Sequence, residues 1–240
     1  MQNLNKLVSS ENYLDSFHKI ANILLNDFKL LIDNTEFEIT EIEFYYKDEH
    51  EHNDIACHGD KLQKVSNKWY VHNTGRGGID ITFGNENAYG GILIRGIKEQ
   101  KSGLYINGPL NVLKKIEEIL LTKDRSELRN KLGKVETSLV RLEKKESTNK
   151  LIFQGPRIGL VQSDNKFLVH PYRFIVDITS KHKFAEKTNV YLYTLKLNPD
   201  LKDEILKSIG YKFDFASNLQ SINSGSKRNI RMVEYINNIH

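Results

Sequence analysis

The stretch from Lys68 to Ile97 leaves the fewest choices of fold. Three short segments of strand character, Lys68 to His72, Ile79 to Phe83 and Ile92 to Ile97, are separated only by the glycine-bearing turns Asn73 to Gly78 and Asn85 to Gly91. Such connections are too short for the helical crossover that parallel neighbours require, so the segments form an antiparallel meander. Phe37 to Tyr46, rich in β-branched and aromatic residues, adds a further strand. Simple alternation puts Glu41, Glu43 and Tyr45 on one face with Phe37 and Ile39, and Ile42, Phe44 and Tyr46 on the other. A strand with apolar side chains on both faces is sandwiched, and two glutamates on it are costly unless paired or functional. In the meander the same alternation sets Asp80 and Thr82 opposite Ile79, Ile81 and Phe83, and places Arg95 beside Leu93 and Ile97.

Around this core the pattern turns helical. From Ser10 to Leu31 apolar residues recur at helical spacing, with Ser9 or Ser10 as cap. Pro109 to Leu121 reads as a helix with proline in its first turn. Asp124 caps a further helix through Leu128, Leu132, Val135, Leu139 and Leu142, with Gly133 as an interruption. Lys150 to Val161, Tyr172 to Ile178 and Asn189 to Leu197 read as strands, and Pro199 to Ile209 as a short helix closed by Gly210. The segment from Ser217 is either a docked tail or a mobile arm carrying Lys227, Arg228 and Arg231. The expected organisation is α+β: an N-terminal helix over residues 1–35, a core over 36–180 and a C-terminal extension of strand, helix and basic tail over 181–240.

Composition narrows the class. With 240 residues, 39% of them hydrophobic and 28% charged, a packed core under a polar surface is expected, and no apolar run is long enough for a bilayer. One cysteine, Cys57, excludes an internal disulfide; that and the lack of signal-peptide segments predict an intracellular, cytoplasmic setting. A net charge of +4 permits nucleic-acid binding without demanding it. His50, His52, Asp54 and His58 have metal-ligand spacing, but a solvated loop suits the polar stretch from Lys47 to Asn67 better, and no metal is expected. Glycines 75, 77 and 78 open a strand and not a helix, so they read as turn residues and not as a phosphate cradle. Glu43 and Arg95 read either as a buried ion pair or as a catalytic pair.

Five blocks in order carry a family resemblance: Glu41-Ile42-Glu43-Phe44-Tyr45; Trp69-Tyr70-Val71-His72 followed by Ile79-Asp80-Ile81; Ile92-Leu93-Ile94-Arg95-Gly96-Ile97; Asn107-Gly108-Pro109-Leu110 with Leu113; and Gly155-Pro156-Arg157-Ile158-Gly159-Leu160 followed by His170-Pro171-Tyr172-Arg173-Phe174. Across residues 37–177 the chain resembles the alkyladenine (methylpurine) DNA glycosylases. The resemblance implies a single α+β domain around a curved antiparallel sheet flanked by helices, the formyltransferase C-terminal-like barrel of that family. It implies hydrolysis of the N-glycosidic bond of a flipped, damaged purine in DNA, by a monomer without cofactor.

Carried over by position, Glu43 becomes the base that activates water and Arg95 the residue that holds that water and the nearby phosphate. Tyr45 and His72 enclose the flipped base, and His58, or else His52, stands for a loop histidine. The backbone at Gly159 and Leu160 helps fix the water. The chemistry suits these residue types, because base departure leaves an oxocarbenium-like sugar that a carboxylate can stabilise while deprotonating water. Two departures stand out. The segment Asn73 to Gly78 has no apolar wedge, leaving Arg76 to intercalate or to contact phosphate, and Asp80 occupies the place of a base-filtering asparagine. Lys227 and Arg228 are the expected basic contacts of the tail, to duplex or single-stranded DNA. The altered residues leave two alternatives open: a glycosylase for an unusual or foreign modified base or nucleotide, and a catalytically idle nucleic-acid-binding module.

Overall fold

The computed structural model describes residues 3–73, 77–160, 165–222 and 226–239. Its centre is β2 (Thr35–Asp48), a long strand paired on both edges. One edge takes β6 (Ala88–Glu99) along almost its whole length. The other takes β1 (Phe28–Ile32) near the start, through Leu30 opposite Phe37, and β10 (Arg173–Ile175) further on, through Arg173 opposite Glu43. β3 (His52–Asn53) folds back on the end of β2. Beyond β6 the meander continues as β5 (Ile79–Thr82) and β4 (Trp69–Val71), with β7 (Tyr105–Asn107) on the far part of β6. β8 (Val140–Lys144) extends the sheet past β1, and β9 (Phe153–Gly155) past β10. All these pairings are antiparallel, and the sheet curls into a half-barrel within a single α+β domain.

The concave core is filled from β2, β5 and β6 and closed by α1 (Tyr13–Asn22). Phe17 of α1 stacks on Phe44 at 4.8 Å between centroids and meets Phe83 and Tyr172 edge-on. Asn12, not Ser9 or Ser10, caps this helix, accepting from the Asp15 N–H. The helix ends in a single π turn at Ile23–Asp27, and the expected continuation to Leu31 is strand β1. A short apolar run such as Phe28 to Ile32 suits either state, and here pairing with β2 on one side and β8 on the other decides it. The same tertiary preference corrects the helix expected from Asp124 to Leu142. It stops at Lys131 as α3 (Arg125–Lys131), and residues 140–144 become β8. α2 (Pro109–Ile119) forms with Pro109 in its first turn and buries Val112, Leu113 and Ile116.

The simple alternation along β2 fails at one place. The register pairs Ile39 with Ile97, Glu41 with Gly96 and Ile42 with Ile94, so Thr40 is skipped on β2 and Arg95 on β6. Each extra residue switches the faces of its strand. Phe37, Ile39 and Ile97 therefore join Ile42, Phe44 and Ile94 in the core, while Glu41, Glu43, Tyr45, Leu93 and Arg95 are left on the opposite side. Gly96 is needed at this crossing: a Cβ there would stand 2.7 Å from the Thr40 hydroxyl and 3.0 Å from the Glu41 Cβ.

Past β10 the chain is helical. α4 (Lys187–Leu197) replaces the strand expected from Asn189 to Leu197. It is buried on every face, from Asn189 through Leu195, because one side packs on β9 and its neighbours and another on the last helices. It therefore has no amphipathic stripe to betray it. Thr194 ties it to the sheet, its hydroxyl accepting from the Gln154 N–H at 2.8 Å. α5 (Lys202–Ile209), α6 (Phe215–Ile222) and α7 (Lys227–Asn238) follow, with Met232 and Ile236 of α7 buried against Leu192 and Tyr193. Of the strand expected from Lys150 to Val161, only β9 forms among the described residues, since Pro156 has no N–H for a ladder; Val161 itself lies outside them. That expected from Tyr172 to Ile178 shrinks to β10. No helix among the described residues is long and apolar enough to cross a membrane.

The Gly96→Ala substitution tests the paired irregularity. Both obstructing groups belong to the sheet, so overpacking is expected to cost about 1–3 kcal/mol in urea unfolding. An unchanged midpoint would contradict the close approach described.

Candidate functional site

On the face exposed by the strand irregularities, three carboxylates and three guanidinium groups interlock. Glu41 Oε1 accepts from Arg95 Nε and from Arg173 Nε, both at 2.8 Å. Glu43 Oε2 accepts from the Tyr45 hydroxyl at 2.8 Å and, more loosely, from Arg95 Nη1 at 3.4 Å. Its Oε1 accepts from the Ile158 backbone N–H at 2.7 Å. Arg95 thus makes its close contact to Glu41, shared with Arg173, and is only the third and loosest partner of Glu43. Asp54 Oδ2 and Oδ1 receive Arg157 Nη1 and Nη2 at 2.5 and 3.2 Å, and Asn165 Nδ2 donates to Oδ1 at 2.8 Å. Arg157 also donates to the carbonyls of Phe44 and Phe167, and its guanidinium lies 4.7 Å over the Tyr45 ring.

These pairs set the charges. Burial pushes the Glu41 carboxyl up, but Arg173 and Arg95 outweigh it and hold its pKa below the usual range. Burial likewise works against Asp54, and Arg157 reverses it. Burial opposes the charge on Arg95, yet Glu43 and Glu41 hold it firmly protonated. The Tyr45 phenol is pushed well up, by burial and then by the Glu43 charge, so it stays a donor.

Against this network lies a cavity of about 430 Å³. Tyr45, Arg95, Ile158, Gly159 and Leu160 form its wall next to Glu43; Cys57, His58, Gln63, His72, Asp80 and Leu93 line the remainder. Glu43 itself is sealed, with no exposed side-chain surface, immediately behind Tyr45, Arg95 and Ile158. Asp80 Oδ1 accepts from His72 Nε2 at 2.6 Å, and Gln63 Nε2 approaches its other oxygen at 3.4 Å. His58 stands beside the pair, its ring edge-on to His72 at 4.5 Å between centroids and its Nδ1 3.4 Å from the Tyr70 hydroxyl. Cys57 is buried, its thiol pushed up to about 12 chiefly by burial, so it is unsuited to act as a nucleophile.

Most residues expected to act together are brought together: Glu43, Arg95, Tyr45, His58, His72, Asp80, Gly159 and Leu160 all border the cavity or sit directly behind it. The histidine cluster is dispersed. His52 is buried between the Tyr46 carbonyl and the Tyr172 hydroxyl, with its ring on Phe167; Asp54 is engaged by Arg157, and His50 is exposed. Among the described residues no group of three metal-ligating side chains forms. Arg76 lies outside the described residues. Lys227 is exposed on the first turn of α7, whereas Arg228 is held by both oxygens of Glu186 and donates to the Arg157 carbonyl at 3.0 Å. Sequence reading missed Arg157, Arg173, Asp54 and Ile158 as the parts that position the site. Their signal was present in the two arginine-bearing blocks, but their acidic partners lie too far away in sequence to be matched to them.

The depressed carboxylates predict an acid limit. In the folded state Glu41 and Asp54 titrate below their ordinary values, so their stabilising contribution is complete above about pH 5 and is lost as pH falls below about 4. Unfolding free energy measured from pH 7 to 3 should be level at first and then drop. A stability that rises on acidification through this range would contradict the pairing.

No protein-family model matches the chain. It is 28% identical over 200 residues to an uncharacterized protein of Acanthamoeba polyphaga mimivirus, a match that covers 71% of this chain and 92% of the viral one.

Proposed function

We propose that the chain is a monofunctional DNA glycosylase, in which Glu43 takes a proton from the water that displaces a base, a purine by the resemblance, turned out of the helix into the cavity. The observation that carries this reading is the desolvated Glu43 carboxylate, held by Tyr45, Ile158 and Arg95 behind the wall of a cavity within the size range of small-molecule sites. As the bond from C1′ to the base lengthens, positive charge gathers on the sugar, and a fixed carboxylate beside it lowers the barrier. The three donors hold that carboxylate in one orientation before substrate arrives. Because Glu43 is sealed in the free protein, entry of the nucleotide must shift the Tyr45 ring or the Leu160 segment enough to admit one water.

In this reading Arg95 steadies the water and the adjacent phosphate. Tyr45 and His72 border the base, His58 stands at the mouth, and the Gly159 and Leu160 backbone closes the water side. Lys227 supplies a backbone contact, while Arg228 supports the site from behind through the Arg157 carbonyl. One chain carries the whole constellation, so a monomer suffices. The product is an abasic site, which base excision repair processes further. A second reading keeps this chemistry and changes the base. The Asp80 carboxylate, paired with His72 where the resembled enzymes have asparagine, favours a base with a different donor pattern at that edge.

Oligonucleotide duplexes carrying alkylated, deaminated and hypermodified bases, with released base identified by mass spectrometry, test the proposal. Release by the native protein should fall by about a hundredfold or more in Glu43→Gln. Release that persists in that variant would remove Glu43 from the role of base. Binding without release of any base would favour the idle module.

A further inference from the structure

The outer edge of the meander borders a second cavity, of about 380 Å³, within the size range of small-molecule sites. It lies along β4. The Thr82 N–H donates to the Lys68 carbonyl and the His72 N–H to the Gly78 carbonyl, so Lys68, Tyr70 and His72 turn backbone groups towards β5. Trp69 and Val71 therefore turn theirs to the edge that faces the cavity. On that edge the Trp69 N–H donates to the Gly133 carbonyl at 3.2 Å, and the Val71 carbonyl accepts from Arg129 Nη2 at 3.3 Å. Between these two bonds, the Trp69 carbonyl and the Val71 N–H have no hydrogen-bond partner among the described residues. Backbone groups at a half-closed edge call for a partner. An added strand needs a run of such groups, and this edge is stopped at both ends, so the partner that fits is small.

The side chains around the pair favour a flat, anionic ligand. Leu62, 46% exposed, and Leu132 supply apolar surface. Lys68 and Arg129 supply charge, and neither pairs with a carboxylate among the described residues. Arg129 contacts only neutral acceptors, the Val71 carbonyl and the Asn73 side-chain oxygen. Asp60, the acid of the lining, is turned to the helical turn Lys61–Lys64, accepting from the Leu62 N–H at 2.8 Å. From this arrangement we infer that the groove is a binding site for an adenine nucleotide, independent of the glycosylase reading. The adenine amino group donates to the Trp69 carbonyl and the neighbouring ring nitrogen accepts from the Val71 N–H, while the phosphate goes to Lys68 and Arg129. Guanine in the same place sets its amino group against the Trp69 N–H, donor to donor. Cytosine sets its ring carbonyl against the Val71 carbonyl, acceptor to acceptor. The site is distinct from the main cavity: Tyr70 stands between them, lining the groove while its hydroxyl lies 3.4 Å from Nδ1 of His58 in the other wall. The nucleotide is either free or a residue of a single strand, since both present the same edge and phosphate.

The experiment titrates the full chain with AMP, GMP, CMP and adenosine by calorimetry, and follows the fluorescence of Trp69, the single tryptophan of the chain and a residue of the groove wall. AMP is expected to bind about tenfold or more tighter than GMP or CMP, because each of these leaves a polar group of the edge facing its like. Adenosine should bind about tenfold more weakly than AMP, for want of the charge-assisted contacts. Lys68→Gln and Arg129→Gln should each weaken AMP by a similar factor and leave adenosine unchanged. Leu62→Asp, a surface change that sets a negative charge beside the phosphate, should abolish binding of AMP without altering the thermal midpoint, and it keeps the test decisive should Arg129→Gln fail to fold. Displacement of AMP by an oligodeoxyadenylate assigns the occupant to a strand; AMP binding indifferent to the oligomer assigns it to the free nucleotide. Equal affinity for the three nucleotides would overturn the inference, and so would binding of AMP that survives the Lys68 and Leu62 substitutions. Failure of the native chain to bind either AMP or the oligomer would overturn it as well; none of these results bears on base release at the main cavity.

Discussion

Two glutamates two positions apart on a sandwiched strand, Glu41 and Glu43, can keep their charge only if cations are brought to them, and much of this molecule is arranged to do so. Arg95 arrives because β6 bulges at that residue; Arg173 arrives on the short strand paired to the other edge of β2. Taking such charges out of water costs several kcal/mol per ion, and the interior repays it only when geometry and remaining hydrogen bonds are good. Here Glu41 has both guanidinium groups and Glu43 has a phenol, an amide and Arg95. A network of this kind specifies one arrangement, because moving any member strands a buried charge.

The same constraint explains the long C-terminal part. Ile158 can donate to Glu43 only if the segment after β9 is held against the sheet, and Arg157 holds it by anchoring to Asp54 and to two carbonyls. Arg228 of α7 fastens that segment from outside, gripping Glu186 and the Arg157 carbonyl. The last helices, which lie far from the cavity wall in sequence, thereby set the position of one donor to Glu43. Residues read as a basic arm include one that is part of the scaffold.

The meander and its polarity were legible in the chain. Turns too short for crossovers gave antiparallel pairing, and alternation in β5 correctly opposed Asp80 to Ile79 and Ile81. The grouping of the site residues was legible through the five blocks. What local pattern could not express were events set by partners. The bulges at Thr40 and Arg95 depend on two strands meeting; β1 and β8 take strand form because they pair with each other. α4 is surrounded, so its Val-Tyr-Leu-Tyr run has no period of its own. The metal-like spacing of His50, His52 and Asp54 dissolved because His52 and Asp54 each found a distant partner, Tyr172 and Arg157.

In the proposed reaction the Glu43 carboxylate faces positive charge developing on a sugar. The most direct measurement is the affinity for two duplexes that differ only in one nucleotide: a pyrrolidine abasic analogue, cationic at the position of C1′, and its neutral tetrahydrofuran counterpart. A site built for the transition state should bind the cation more tightly by about tenfold or more, and the preference should vanish in Glu43→Gln. Equal affinity for the two duplexes, or a preference that survives loss of the carboxylate, would contradict the account.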